Sequence, residues 1–198
     1  MASVRVDLDK VKTFEDEASF YAWLGKHWNK ESEIWIKIYK VKSGKPSITP
    51  AQAIDVVLCW GWIDGIRKGL DDESFLQRYT PRTKKSIWSQ VNVTNVERLV
   101  KAGKMRPAGQ AQVDAAKADG RWSKAYSSKS EAPADLLAAI RAEPKALAMY
   151  EKLSAQNRFS LAFRTQSMKT AEGRAKKIAG FVEMLKKGKT IYPNGKKR

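Results

Sequence analysis

Near the start of the chain, Phe20, Trp23, Leu24 and Trp28 fall on one helical face, and Asp16 stands where an N-cap belongs. The spacing predicts a helix from about Asp16 to Trp28. The run Ile34-Trp35-Ile36-Lys37-Ile38-Tyr39 is β-branched and aromatic and reads as a strand, closed by the loop Ser43-Gly44-Lys45-Pro46. Thr49-Pro50-Ala51-Gln52 has the form of a capping box with proline at the first helical position. That helix buries Ala53, Ile54, Val57 and Leu58 and stops by Gly61. Residues 62–67 and 75–80 predict two antiparallel strands across the polar connection Gly69–Glu73, with Pro81 ending the second. Asn92 is placed to cap a helix carrying Val96, Leu99 and Val100 to Gly103, and Pro107 opens another through Val113 and Ala116 to Gly120.

Beyond Tyr126–Glu131, which reads as a linker, the rhythm is helical throughout. Pro133 and Pro144 mark helix starts. Leu147, Tyr150 and Leu153 share one helix, and Phe159, Ala162 and Phe163 the next. Thr170 caps the last, whose stripe is Ile178, Phe181, Val182 and Leu185, with Gly188 as its stop. The chain is therefore expected to be α+β, with a small antiparallel sheet and helices in the first half and a helical C-terminal half. The division expected is an α+β core over 1–125, a helical region over 126–188 packed on that core, and a basic, mobile tail over 189–198.

Composition narrows the chemistry. A chain of 198 residues can bury a real core without metal or disulfide staples. The single Cys, Cys59, excludes an internal disulfide framework and a cysteine zinc site; the single His, His27, excludes a multi-histidine metal centre. Cys59 is expected to be buried and inert, and His27 a packing or surface residue. No glycine-rich phosphate loop, serine nucleophile elbow or metal-ligand spacing occurs, so no cofactor and no metal are expected. No apolar run is long enough to span a bilayer, and Met1–Asp7 has no signal-peptide h-region, so a cytoplasmic protein is the default.

Charge points to partners. The formal net charge is +17. Residues 82–106 hold seven basic side chains and one acidic one; residues 164–198 hold eleven and two. Such stretches favour anionic ligands or polyanions, nucleic acid among them, or are simply a well-solvated surface. The stripe on the last helix opposes Lys176, Lys177, Lys186 and Lys187, but a closing helix normally buries its stripe on its own domain, so peripheral membrane contact is disfavoured. The oligomeric state is left open.

The densest candidate chemistry lies between Cys59 and Trp122. Asp64 stands between Gly61 and Gly65 beside Trp60 and Trp62, with Arg67, Arg78 and Arg82 as candidate cationic partners; the pattern suits either an anion fork walled by indoles or a strand-end aspartate satisfied by backbone amides or an arginine and holding the hairpin. Thr80-Pro81-Arg82 leads to Ser86, Trp88, Ser89 and Asn92, hydroxyls and cations before a helix start, which suits either an anion site or a capped loop around a core tryptophan. Asp119-Gly120-Arg121-Trp122 reads as a helix stop and aromatic anchor, with Arg121 in reach of a shared pocket. Convergence of Trp60, Trp62, Trp88 and Trp122 would turn these motifs into one site.

At Cys59-Trp60-Gly61-Trp62-Ile63-Asp64-Gly65, Arg78–Arg82, Ser86–Ser89, Gly103–Gly109 and Asp119–Trp122 the chain resembles the YdeI/OmpD-associated family, also described as bacteriocin-protection proteins. The resemblance takes in Trp23-Leu24, the strand at Trp35 and Lys169…Glu172…Arg174…Ile178. Where members carry Glu-Thr-Arg this chain has Glu172-Gly173-Arg174, so a role for that threonine hydroxyl does not carry over. The resemblance implies protection against bacteriocins and porin association, with no established reaction. The function expected is thus a non-enzymatic stress or envelope-protection protein that recognises an anionic partner through a Trp/Arg-lined site formed by Asp64, Arg78, Arg82, Trp88 and Arg121. The alternatives are a nucleic-acid module using 82–106 and 164–198, and an enzyme acting on a small anionic substrate at Asp64 and the nearby arginines. Direct sequestration of a cationic bacteriocin is disfavoured by the positive charge.

Overall fold

The computed structural model describes residues 6–127 and 132–194. It forms two compact units, 1–126 and 127–198. In the first, β1 (Lys12–Thr13), α1 (Glu17–His27), β2 (Ile34–Tyr39), α2 (Pro50–Cys59), β3 (Trp62–Gly69), β4 (Ser74–Pro81), α3 (Gln90–Lys101) and α4 (Pro107–Ala118) follow in order. The sheet order is β1-β2-β4-β3, with β1 parallel to β2 and the other pairs antiparallel. The second unit has α5 (Ala134–Arg141), α6 (Pro144–Glu151), α7 (Ala155–Gln166) and α8 (Ala171–Lys186). The α+β expectation holds.

Caps set the helix starts. The Asp16 carboxylate accepts from Ser19 N at 2.8 Å. Thr49 and Gln52 complete both halves of the capping box, Gln52 N to Thr49 Oγ1 at 3.3 Å and Thr49 N to Gln52 Oε1 at 2.9 Å. The cap of α3 is Ser89, which accepts from Asn92 N at 3.2 Å, so the expected Asn92 cap moves three residues upstream. That register buries Val93, Val96 and Leu99 and leaves Val100 outside, at 49 % exposure.

Two apolar clusters fill the first unit. One joins Phe20 and Leu24 of α1, Ile34, Ile36 and Ile38 of β2, Val56 and Val57 of α2, and Trp62 and Tyr79 of the hairpin. The other joins Leu58 and Cys59 to Trp88, Val96, Leu99, Val113 and Ala116. The second is possible because α2 and α4 meet almost backbone to backbone. A Cβ on Gly109 would lie within 2.3 Å of Cys59 O. Gly61 turns the chain out of α2 at φ +76°, under Ala108 O.

The second unit closes over Leu136, Ile140, Leu153, Leu161, Ile178 and Leu185. Of the expected linker, 128–131 lie outside the described residues. The segment expected to be a mobile tail is tied down as far as Asn194. Asn157, buried on α7, donates to Tyr192 O at 3.0 Å and Asn194 Oδ1 at 2.9 Å and accepts from Tyr192 N at 3.0 Å. Residues 195–198 lie outside the described residues.

Candidate functional site

The four tryptophans do not converge. Trp62 is 1 % exposed and gives its indole N–H to Trp28 O at 3.0 Å, so the expected ligand wall is a core residue. Trp60, at the end of α2, is packed against Tyr21 at 5.4 Å and Trp28 at 6.4 Å between ring centroids. Trp88 and Trp122 do meet, edge to face at 4.8 Å and 61°. Gly120 makes this meeting. It takes φ +79° after α4, and Trp122 N returns to Ala116 O at 3.0 Å, which folds the indole back on the unit.

The arginines also separate. Arg78 pairs with Glu33, Nε to Oε2 at 2.7 Å. Arg67 gives Nε to Gln77 Oε1 at 3.0 Å and lies over the Phe75 ring at 4.3 Å. Gln77 in turn donates to Gly65 O at 3.0 Å, filling the irregularity where the β3–β4 register shifts between Asp64 and Arg67. The Asp64 carboxylate is exposed and has no hydrogen-bonded or ion-paired partner among the described residues. The fork expected around it is not assembled, since Arg67 and Arg78 are committed elsewhere.

Arg82 is 6 % exposed. Its guanidinium lies 3.5 Å over the Trp88 ring, and Nη1 donates to Ile87 O at 3.2 Å. Nε and Nη2 have no partner among the described residues. Burial pushes the group down to about 10, against the opposing charge of Asp64. Arg121 gives Nη1 to Ser86 O at 2.8 Å while Asp119 holds its Nε at 2.8 and 2.9 Å. Two cations thus grip the carbonyls at the far end of one loop.

That loop, Thr83–Trp88, is closed upon itself. Thr83 N donates to Ser86 Oγ and Ser86 N to Thr83 O, both at 3.0 Å. Trp88 O accepts Tyr126 N at 3.0 Å, and Gln90 N reaches Tyr126 O at 2.8 Å. The product is a hydrogen-bonded loop that turns its lysines outward. Lys84, Lys85 and Ile87 are exposed, and neither ammonium has an acidic partner among the described residues. Ser86 and Ser89 use their hydroxyls to build the loop and to cap α3, with the Asn92 N–H as the partner of Ser89.

His27 stacks on Trp23 at 4.4 Å with Nδ1 at 2.7 Å from Trp23 O, and burial raises the Cys59 thiol to about 11. Among the described residues no group of three His, Cys, Asp or Glu side chains could hold a metal ion, and no helix is long and apolar enough to cross a membrane.

Residues 12–112 match the family model of a domain of unknown function (DUF8412). The chain belongs to this family. Residues 129–188 match a second model, described as bacteriocin-protection, YdeI or OmpD-associated. No curated protein and no solved structure matches the chain. The YdeI/OmpD-associated match thus covers the helical second unit, including Lys169…Ile178, while most of the Cys59–Trp122 stretch lies in the DUF8412 match. In the YdeI/OmpD-associated segment, Arg174 takes Asp135 with two bonds, Nε at 2.6 Å and Nη2 at 2.9 Å, and Thr165 O with Nη1 at 3.0 Å, tying α8 to α5 and α7. Gly173 gives its N–H to the Thr170 cap at 3.1 Å, and a Cβ there would come within 2.9 Å of that hydroxyl oxygen.

Sequence reasoning passed over Tyr21 and Arg106, which are brought together around Trp60. Arg106 donates Nε to the Tyr21 hydroxyl, which donates to Lys104 O at 2.8 Å. The separation along the chain leaves no local signature of this pairing; only the Gly103–Gly109 motif marks one end of it.

Proposed function

We propose that the protein is a cytoplasmic binding protein acting in stress or envelope protection, and that it contacts an anionic partner through the Thr83–Trp88 loop. The observation that carries this reading is the division of labour at the loop. Arg82 and Arg121 spend donors on its carbonyls, while Lys84 and Lys85 project without acidic partners. Display on a loop closed by its own hydrogen bonds reduces the ordering cost of binding, and lysines without acidic partners supply the charge. The match of the second unit to bacteriocin-protection proteins supports the protective role.

Inorganic polyphosphate is the probe for the test. The wild type is expected to bind it at physiological salt, and Lys84→Glu/Lys85→Glu to bind at least about tenfold more weakly with an unchanged unfolding midpoint. Equal binding by the two proteins, or none by the wild type, refutes the reading. The nucleic-acid alternative loses its aromatic platform, because Trp88 is 2 % exposed. Quenching of tryptophan fluorescence by a short single-stranded oligonucleotide, abolished by Trp88→Phe, would restore it.

A further inference from the structure

A concave site of about 520 Å³ lies on the first unit, lined by Glu17, Ala18, Tyr21 and Ala22 of α1 and by Gly103, Lys104 and Arg106 beyond α3. It is separate from the lysine loop. We infer that this pocket binds a small organic monocarboxylate, with Arg106 gripping the carboxylate and the α1 face holding the apolar body.

Arg106 is the reason. Its backbone is fixed by N to Cys59 O at 3.1 Å. Its Nε is fixed by the Tyr21 hydroxyl, and that hydroxyl is itself fixed by Lys104 O. The guanidinium faces the Tyr21 ring at 5.3 Å and the Trp60 ring at 5.8 Å. Nη1 and Nη2 have no partner among the described residues, and no carboxylate pairs with the group. Two parallel donors held in a known plane at a pocket wall are the geometry a carboxylate accepts, bidentate and charge-assisted. Arg78 and Arg98 of the same unit, by contrast, each pair with a carboxylate.

The other two charged groups set the ligand's charge. Lys104 is held by Glu17 at 2.9 Å, so this pair cancels and the pocket carries the single positive charge of Arg106. A dianion would bring a second charge for which the pocket holds no free cation. Ala18, Ala22 and the Tyr21 ring offer an apolar floor, and the volume lies within the ordinary range for small-molecule sites. An apolar body with one carboxylate, such as benzoate or hexanoate, satisfies each constraint.

Benzoate titrated into the full chain, followed by calorimetry and by protein-observed NMR, tests this. Saturable binding is expected at millimolar concentration or below, with the uncharged isostere benzamide and the dianion phthalate each about tenfold weaker or worse. Arg106→Gln is expected to lose benzoate binding at least about tenfold with its unfolding midpoint retained. Tyr21→Phe keeps the ring and removes the hydroxyl that orients Arg106; it is expected to weaken benzoate and leave benzamide unchanged. Lys84→Glu/Lys85→Glu is expected to bind benzoate as the wild type does, so failure of the loop reading and failure of the pocket are told apart. No saturable binding of benzoate or hexanoate up to about 20 mM, far weaker than an arginine-gripped carboxylate should be, overturns the inference. So does equal affinity for benzoate and benzamide, or Arg106→Gln binding as the wild type.

Discussion

Two glycine-to-alanine changes in the same unit should move stability in opposite directions. At Gly109, in the first turn of α4, a Cβ would stand 2.3 Å from Cys59 O and 2.7 Å from Leu58 O. The first is roughly 1 Å short of an ordinary contact. Both atoms are backbone, and both are committed, Cys59 O to Arg106 N and Leu58 O to Gly61 N. No rotamer can relieve the clash, so α4 must move away from α2. Overpacking of this kind costs about 1–3 kcal/mol, and loss of the Arg106 bond about 1 kcal/mol more. Against that stands a helix-propensity gain of at most about 1 kcal/mol. The expected net loss is about 1–3 kcal/mol. At Gly25, inside α1, the nearest atom to a Cβ is Trp60 Cζ2 at 3.4 Å, an ordinary contact, so only the propensity gain of about 0.5–1 kcal/mol remains. All seven tryptophans lie between positions 23 and 122, so urea unfolding followed by tryptophan fluorescence reads the first unit. With a slope of about 1–3 kcal/mol/M, the Gly109→Ala midpoint should fall by about 1 M while that of Gly25→Ala rises. A Gly109→Ala protein as stable as the wild type would refute the close helix crossing. A Gly25→Ala protein destabilised as much would refute the propensity argument.

Further outcomes concern buried polar groups. Arg82→Met should change stability by no more than about 1 kcal/mol, because it removes a buried cation that has no carboxylate, whereas Arg82→Ala should cost about 2–4 kcal/mol for the cavity against Trp88; equal losses in urea unfolding would contradict this. Burial raises the Cys59 thiol from 9.0 to about 11, so the unfolded chain ionises first and stability is lost as pH rises from about 9 to 11. Relative to Cys59→Ala, the wild type should lose about 2–3 kcal/mol across that window, and its thiol should react with a disulfide reagent at pH 8 only on unfolding; parallel pH profiles would refute the linkage. Asn157→Ala removes the bonds that hold Tyr192 and Asn194. Trypsin should then cleave after Lys189 faster than in the wild type, and unchanged cleavage would show that the segment is held by something else.

What the chain made legible was local. Asp16, Thr49 and Thr170 announced their helices because a cap is a contact between residues three apart, and the β3–β4 hairpin followed from alternation around a polar turn. What stayed hidden depended on distant partners. β1 is two exposed residues whose strand character comes from pairing with Ile36 and Lys37. Ser89 and Asn92 are equally good capping residues by type, and only the burial of Val93 and Leu99 decides for Ser89. The tryptophans read alike in sequence, yet Trp62 completes a core and Trp122 closes a helix end. Side-chain type offers a donor; the acceptor is chosen by the fold.

The same principle sorts the excess positive charge. Arg67, Arg78, Arg82, Arg98, Arg121 and Arg174 each hold another element through a carbonyl, an amide or a carboxylate. Their planar forks suit fixed, directional bonds. Lys84, Lys85, Lys101 and Lys124 are exposed and hold nothing among the described residues. A compact, strongly hydrated ammonium on a flexible stem suits a mobile counterion atmosphere better than a buried joint. These two sets of side chains therefore act on different observables. Neutralising those lysines as glutamines should flatten the salt dependence of polyanion binding and leave the unfolding midpoint in place. Neutralising Arg121 as glutamine should release Ser86 O and lower the midpoint, while any loss of polyanion binding should follow only from the loosened loop. If Arg121→Gln instead flattened the salt slope at constant stability, Arg121 would be a ligand contact and the loop a support for it.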